Sequence, residues 1–454
     1  MKILKNSEFK TTNGVKILRI EGTGYEMGFQ HGYLLAEGIN IMLTYTLPSM
    51  ITYLAVCTGL NYADTLQNMY NAQKMSDSYI PDFLLDEMNG IVDGARSKGV
   101  NVRLKEIKLF NIIYDLWCYY TSQKFINIDS ENSNIQGCSS FSAWGNATGK
   151  EGKLIFCKNE DNYNFPGQLD NRIFIVACPE YGAKHAFFTF PGMIGLDGGF
   201  NNEGLSLMTQ RSSTVDDAVS GCGIALFTRI NLTSSKNLKD SIEIFNKYQS
   251  SSGIAYHVAD AKAKLVAAIE VSPKKVCIRY PEDEMDYFWQ TNHSNCFPGW
   301  MGYEGENMVE TQAPIYRIDA TNIEKWQRSL RNIDNTSIPA AGRFERYRQL
   351  LTKYYGNINV ENSIRILRDR YDPYTNRTRL ENLSCKHRNN LSTICAMYPV
   401  ETYKAPEPVG SFKANVATLW SLITYPATGE FWIASNEFPA PYGEYYQFNL
   451  NEFV

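Results

Sequence analysis

Apolar positions recur at helical spacing in the first quarter of the chain and at strand spacing over most of the remainder. After a short strand pattern, GVKILRIEG, the segment TGYEMGFQHGYLLAEGINIMLTY sets Met27, His31, Leu34, Leu35 and Ile39 on one side of a helix. Thr23 and Glu26 have capping-box spacing at its start. PDFLLDEMNGIVDGARSKG predicts a second helix, with Pro81 at its entry, Leu84, Leu85, Met88, Ile91, Val92 and Ala95 along one face, and Gly99 as its stop. LKEIKLFNIIYDL predicts a third, so residues 1 to about 120 read as mostly helical. TSQKFINIDSENSNIQG then loses all period and reads as a surface loop or linker that ends at Cys138.

Beyond Cys138 the pattern is β: CSSFSAWG, GKLIFCKNED, RIFIVACPE, KHAFFTF, EGLSLMTQ, IAYHVAD, KLVAAIEV and KVCIRY. Helical stretches NLKDSIEIFNKY, GRFERYRQLLTKYYG and VENSIRILRDRY interrupt the strands. A last hairpin, NVATLWSLITYP into GEFWIASN, turns at Ala427 to Gly429. Strand runs broken by helices without a regular βαβ rhythm predict an α+β fold whose helices cover antiparallel sheets.

Composition narrows the class. A chain of 454 residues, 44% hydrophobic and 20% charged, can bury a large core. Its net charge of −4, without a block of like charges, suggests neither nucleic acid nor an anionic membrane as partner, and leaves a small molecule as the expected one. The opening MKILKNSEFKTTNGVKILRI is unlike a secretory signal, and no unbroken apolar run long enough to span a bilayer occurs, so a cytoplasmic protein is expected. Ten cysteines lie scattered without a Cys-x-x-Cys pair and read mostly as reduced core residues. The five histidines are far apart and GNATGK, at Gly145 to Lys150, fails the spacing of a phosphate loop, so neither a metal nor another cofactor is expected.

What remains is Cys138 and a set of short motifs: GYEMGFQHG, GCSS before a hairpin, FCKNED on the return strand, GGFNNEGLSL, QTNH, GRFERY and ATLWSLITYPATGEFWIA. In that order, over nearly the whole chain, they resemble the penicillin (isopenicillin N) acyltransferase-like branch of the self-cleaving N-terminal nucleophile hydrolases, with choloylglycine hydrolases and acid-ceramidase-type amidases as relatives. The resemblance implies an αββα sandwich of two antiparallel sheets between helical layers. It also implies a precursor cut between Gly137 and Cys138, giving a helical N-terminal segment, 1–137, that stays bound to a catalytic segment, 138–454. The freed α-amino group would then act as base for the Cys138 thiol. An α-amine titrates near ~7.7–8.0 and a thiol near ~8.5, so both can be poised near neutrality.

The same resemblance assigns further roles. Asp161 would hold the new amino group, while Lys158, where the family has arginine, would stabilise the thiolate or meet the substrate carbonyl. The plain alternative for the pair is an ion pair at a strand end, as a buried strand cysteine is the plain alternative for Cys138. Asn292 matches the family's oxyanion-hole asparagine, with an Asx-turn as its other reading. Arg343 matches a late arginine that steadies the nucleophile, and Arg346 could take its place. The family's second oxyanion asparagine is missing, and Thr209, Gln210 or Arg211 stands there. His293 reads as pocket-lining and His31 as a core histidine. Trp117 and Trp289, with Tyr119, fall in segments the family folds near its pocket and hint at an apolar acyl group.

The reading is a cofactor-free cysteine amidase that cleaves a linear amide of an N-acylated small molecule through a Cys138 thioester. The alternatives are an acyltransferase that passes the acyl group to an amine, and a non-catalytic ligand-binding relative. Oligomeric state, homo-oligomer included, is left open.

Overall fold

The computed structural model describes residues 2–127, 137–212, 214, 216–282, 284–292, 339–373, 377–378, 393–397 and 400–454. The N-terminal part holds β1 (Glu8–Thr12), β2 (Val15–Gly22), α1 (Gly24–Leu34), α2 (Ala36–Ile41), α3 (Leu47–Thr58), α4 (Tyr62–Ser76), α5 (Asp82–Ser97) and α6 (Leu104–Asn127). After Cys138 come β3 (Ser139–Ala143), β4 (Ile155–Tyr163), β5 (Ile173–Pro179), β6 (His185–Thr189), β7 (Gly198–Asn201) and β8 (Leu205–Arg211). Then follow α7 (Ile224–Ser234), α8 (Leu238–Lys247), β9 (Ile254–Asp260), β10 (Leu265–Val271), β11 (Val276–Arg279) and β12 (Tyr287–Gln290). The last part holds α9 (Pro339–Lys353), α10 (Val360–Leu367), two short ladders from β13 (Tyr371–Asp372), β14 (Arg377–Thr378), β15 (Glu401–Lys404) and β16 (Ser411–Ala414), and finally β17 (Val416–Tyr425), β18 (Glu430–Ala434) and β19 (Tyr446–Asn449).

Two sheets form the body: a nine-stranded one in the order β1-β2-β5-β6-β7-β8-β9-β10-β11, and a six-stranded one in the order β12-β3-β4-β17-β18-β19. Aromatic rings weld them face to face, with Phe174 5.0 Å from Phe431 and Phe188 5.1 Å from Trp420 between centroids. The outer face of the large sheet, through Leu18, Ile20, Ile175 and Phe187, is covered by Met27 and Leu35 at α1 and Leu232 of α7. The outer face of the small sheet, through Phe141, Ile155, Cys157 and Trp289, is covered by Phe344, Tyr347 and Leu351 of α9 and Leu367 of α10. The layers are therefore αββα, as expected of an N-terminal nucleophile fold.

Several boundaries differ from the pattern reading. The segment before Cys138 is mostly helical and its expected strand GVKILRIEG is β2; what the pattern did not show is β1, and that β2 joins the large sheet parallel to β5, with Ile17 opposite Phe174, so one ladder of that sheet is not antiparallel. Helix α6 continues to Asn127, past Thr121, where the apolar period fades. Helix α7 carries no amphipathic signal because Ile224 to Thr233 are all buried, leaving no polar face to mark the period. The stretch Ala36–Thr58 is, by length and composition, apolar enough to cross a bilayer, with 56% of its most apolar window buried; interruptions such as Asn40 and Thr44 hid it from a search for unbroken apolar runs. Cys57, Cys118, Cys138, Cys157, Cys178, Cys222 and Cys395 are free, whereas Cys277 is disulfide-bonded.

Helix α1 starts as its capping box dictates: the Thr23 hydroxyl accepts from Glu26 N at 3.2 Å and Thr23 N donates to the Glu26 carboxylate at 2.9 Å. It then packs on α5 with Gly24, Gly28 and Gly32 against the backbone of Phe83, Glu87 and Ile91, while Gly90 and Gly94 of α5 lie against the backbone of Tyr25, Phe29 and Tyr33. A Cβ on Gly28 would lie 1.9 Å from the Glu87 carbonyl oxygen, so the two backbones meet where any side chain would part them. Gly28→Ala is expected to destabilise the protein by about 1–3 kcal/mol or more, seen as a lowered midpoint in thermal or urea unfolding, while an alanine at Gly59, which has open space around it but a left-handed φ of +72°, meets only backbone strain.

Candidate active site

Cys138 immediately precedes β3, and strand alternation sends side chains of the β3 segment to two different layers. Ser140 and Ser142 face the large sheet, where their hydroxyls hold the two ring nitrogens of His257 at 2.8 and 3.0 Å. Ser139 and Phe141 face α9, with the Ser139 hydroxyl 3.0 Å from that of Tyr347. Cys138 shares the parity of Ser140, so its thiol turns into the space between the sheets. There it is 7% exposed.

The partner strand decides what meets it. Ser139 pairs with Asn159 and Ser140 with Lys158, and continuing that antiparallel register sets Glu160 opposite Cys138. The thiol donates to Glu160 Oε2 at 2.8 Å, and the Asp161 backbone carbonyl lies 3.9 Å from the sulfur. Lys158 Nζ is 3.5 Å from the same Glu160 oxygen, and donates to Asp197 Oδ1 and to the Thr209 carbonyl. Asp197, from the turn before β7, also accepts from the Thr209 hydroxyl at 2.9 Å and from Trp420 Nε1 at 3.3 Å. All four side chains are buried.

Few charges in so dry a space can all persist. Burial, aided by the Glu160 carboxylate, pushes the Cys138 thiol well above its ordinary range, and Lys158 only partly offsets this. Burial and the same carboxylate hold Asp197 well above the usual carboxyl range. Burial alone would favour a neutral Lys158, yet Asp197 and its neighbours outweigh it and keep the ammonium protonated. The sulfur and carboxyl oxygens of Cys138, Glu160 and Asp197 lie within 4.8 Å of one another, a donor set that could hold a cation; the ammonium of Lys158 already serves it.

Asp161 points the other way, toward the helical layer, at a β-bulge between Thr418 and Trp420 of β17. One carboxylate oxygen accepts from the Thr418 hydroxyl at 2.6 Å; the other has no partner among the described residues. Burial raises it to about 7, against the pull of the Arg343 guanidinium. Arg343, fully buried on α9, donates through Nη2 to Asn292 Oδ1 at 2.7 Å, leaving Nε and Nη1 without partners among the described residues. A Cβ on Gly137 would lie 2.5 Å from Nη1, so this guanidinium rests on the backbone just before Cys138. Asn292 itself donates to the Arg211 carbonyl at 3.0 Å, and the register of Gln290 with Ser140 sets it opposite Cys138 on the other flank.

The structure thus gathers Gly137, Cys138, Lys158, Asp161, Asn292 and Arg343 around one peptide bond. Gln210 lies one step along, donating to the Ser140 hydroxyl at 2.7 Å with its carbonyl oxygen unpartnered among the described residues. Arg346 does not replace Arg343; it pairs with Asp369 at 2.7 Å. Trp289 pairs with Phe141 and packs tilted against Phe344, with ring centroids 4.9 Å apart, on the helical face away from the thiol, so it does not line the space beside Cys138. Trp117 belongs to an aromatic cluster with Tyr53, Tyr114, Tyr163 and Phe165. His31 is a core residue whose Nε2 accepts from Gly192 N at 2.9 Å, while His293 lies outside the described residues. Glu160 and Asp197 were missed by the sequence reading. Hairpin register alone could have found Glu160; no periodicity marks Asp197 in its glycine-rich turn, PGMIGLDGG.

Among known proteins, residues 147–414 match the family described as acyl-coenzyme A:6-aminopenicillanic acid acyl-transferase, which is more than half of the chain. An uncharacterized protein of Archaeoglobus fulgidus is 26% identical over 283 residues, covering 61% of this chain and 46% of that relative, so the match spans less than half of the relative's length. Similar solved structures include a Caenorhabditis elegans N-acylethanolamine-hydrolyzing acid amidase ortholog, 12% identical, covering 64% of this chain and 93% of that one at a TM-score of 0.36. Penicillin V acylase from Agrobacterium tumefaciens is 12% identical, with 69% and 87% covered and a TM-score of 0.38. A conjugated bile acid hydrolase from Clostridium perfringens is 9% identical, with 69% and 93% covered at 0.36.

Two outcomes follow from this electrostatic arrangement. Lys158→Met strands two buried carboxyl groups and is expected to destabilise the fold by about 3–5 kcal/mol in urea unfolding. For Asp161, a free carboxyl titrates near ~3.9 and the folded one near about 7, so the folded chain holds a proton that the unfolded chain has lost across that window. The group's contribution is therefore present below the unfolded value and lost as pH rises toward 7. Urea unfolding of Cys138→Ala at pH 5 and pH 7.5 should show a smaller drop once Asp161→Asn is added.

Proposed function

This chain belongs to the acyl-coenzyme A:6-aminopenicillanic acid acyl-transferase family, and on that premise we propose that it is a self-processing cysteine enzyme that opens a linear amide of an N-acylated small molecule. The observation that carries the reading is the seating of the Gly137–Cys138 peptide: a thiol on one side, and on the other a buried guanidinium, two of whose nitrogens have no partner among the described residues, packed on the glycine. Gly137 is the residue that permits this approach, since any side chain would collide with Arg343.

In this reading the cut frees the Cys138 α-amine, and Asp161, buried and with one oxygen unpartnered among the described residues, accepts from it in a charge-assisted hydrogen bond. The amine then takes the thiol proton as sulfur attacks the substrate carbonyl, the leaving amine departs with that proton, and water releases the acid from the thioester. Asn292 and Arg343 are suited to the oxyanion, because each carries amide or guanidinium N–H groups and lies at the nucleophile's backbone. Lys158 supports the site indirectly, as counter-ion to Asp197 and Glu160. The N-terminal piece stays bound, because β2 is laddered to β5 and Trp117 packs on Tyr163 and Phe165.

A second reading, acyl transfer to an amine, is favoured by the family's own description. The two share the thioester and differ in whether water or an amine resolves it.

The intact mass of the denatured wild type is expected to show two fragments meeting at Gly137 and Cys138, with Cys138→Ala whole; a whole wild-type chain contradicts the reading. With N-acyl amides as substrates, free acid as the sole product under added amine marks a hydrolase, and a new amide marks a transferase. Amides that bind without turnover would mark a ligand-binding relative instead.

A further inference from the structure

The first cut has a chemical problem that later turnovers do not. In the whole chain the Cys138 nitrogen is part of the Gly137–Cys138 amide and has no basicity, so the group that serves as base afterwards is absent when the chain must cut itself. Another base has to take the thiol proton. Resting on the self-cleavage reading above, we propose that Glu160 is that base.

The geometry singles it out. Glu160 Oε2 accepts from the thiol at 2.8 Å because cross-strand register sets the two side chains opposite each other. Asp161 offers the sulfur only its backbone carbonyl, its carboxylate being turned to Thr418. Asp197 is held by Lys158, Thr209 and Trp420. Of the described histidines, His31 is held by Gly192, His185 by the Ala183 carbonyl at 2.7 Å, and His257 by Ser140 and Ser142.

The charged and titratable groups that face Glu160 also suit the role. The Lys158 ammonium lies 3.5 Å from Oε2, and burial first, then the Glu160 carboxylate, drives Asp197 and Tyr114 toward their neutral forms. The Asn162 amide donates to Oε1 at 3.3 Å, which leaves Oε2 aimed at the sulfur.

The step balances without any outside oxidant or reductant. Glu160 takes the proton from sulfur as sulfur bonds to the Gly137 carbonyl carbon. The carbon–nitrogen bond breaks with return of that proton to the Cys138 nitrogen, leaving a thioester and a free amine. Water adds to the thioester, the carbon–sulfur bond breaks, and Gly137 ends as a carboxylate beside a restored thiol. Once the amine exists, it can act on later substrates.

The test follows cutting of full-length wild type, Glu160→Gln and Glu160→Asp during cell-free synthesis, by intact mass against time, with circular dichroism to compare folds. The isosteric amide is expected to slow the cut by about 10²–10⁴-fold, the usual contribution of a general base. Glu160→Asp, which keeps the carboxylate on a shorter arm, is expected to fall between the amide and wild type. Cutting of Glu160→Gln at the wild-type rate overturns the assignment while leaving the self-cleavage reading intact. If Glu160→Gln lacks the wild-type spectrum, Glu160→Asp decides: a slower cut in a folded chain supports the assignment and an unchanged rate overturns it. Misfolding of both variants makes Glu160 structural and overturns it too. A wild-type chain that is never cut refutes the self-cleavage reading itself.

Discussion

A lysine ammonium buried between two β-sheets constrains everything around it. Lys158 has no water to turn to, so its protons must go to Asp197, the Thr209 carbonyl and the vicinity of Glu160. Desolvating an ion of this size carries an effective penalty of several kcal/mol, which only close opposite charge and well-placed acceptors offset. The two carboxyl groups that answer it come from different sheets, Glu160 from β4 and Asp197 from the turn into β7. The electrostatic tie is thus also a tie between layers, placed where the thiol enters.

From that tie follows a division of labour across the hairpin. The inter-sheet face of β3 and β4 serves the sulfur, through Glu160 with Lys158 and Asp197 behind it. The helical face serves the backbone, through Asp161 at the bulge and Arg343 against Gly137, with Asn292 bridging to Arg343 from the neighbouring strand. The proposed chemistry uses both the sulfur and the nitrogen of Cys138 and so needs support on both faces, which a residue at the very start of a central strand can receive. Placing lysine at 158 rather than arginine suits this setting: a compact ammonium fits among three convergent acceptors, where a planar fork would demand a coplanar pair.

Much of this was legible in the sequence because it depends on local pattern. Cys138 before a polar-apolar hairpin, the Lys158 to Asp161 spacing, and the capping box at Thr23 are all matters of neighbours along the chain. Strand runs broken by amphipathic helices pointed to an α+β fold with helices over antiparallel sheets, and the family resemblance implied the αββα order of the layers. What was lost was mostly what depends on facing. Alternation along β4 already separates Glu160 from Asp161, yet motif matching favoured the aspartate and passed over the glutamate that meets the thiol. Trp289 was assigned to the pocket by its segment's resemblance to the family, and only its pairing with Phe141 shows that it faces α9. Helix α7 and Asp197 left no signal, the one because it is buried on all sides, the other because its turn obeys no period.

The central claim is that Cys138 becomes a chain terminus bearing both an amine and a thiol. That pair alone condenses rapidly with 2-cyanobenzothiazole at neutral pH to a stable cyclic adduct, whereas internal cysteines do not retain the label. Purified protein, denatured, labelled and digested, should carry the adduct on one peptide, beginning Cys138-Ser139-Ser140. Absence of any such adduct, with Cys138 recovered in a peptide that continues back through Gly137, would contradict the account.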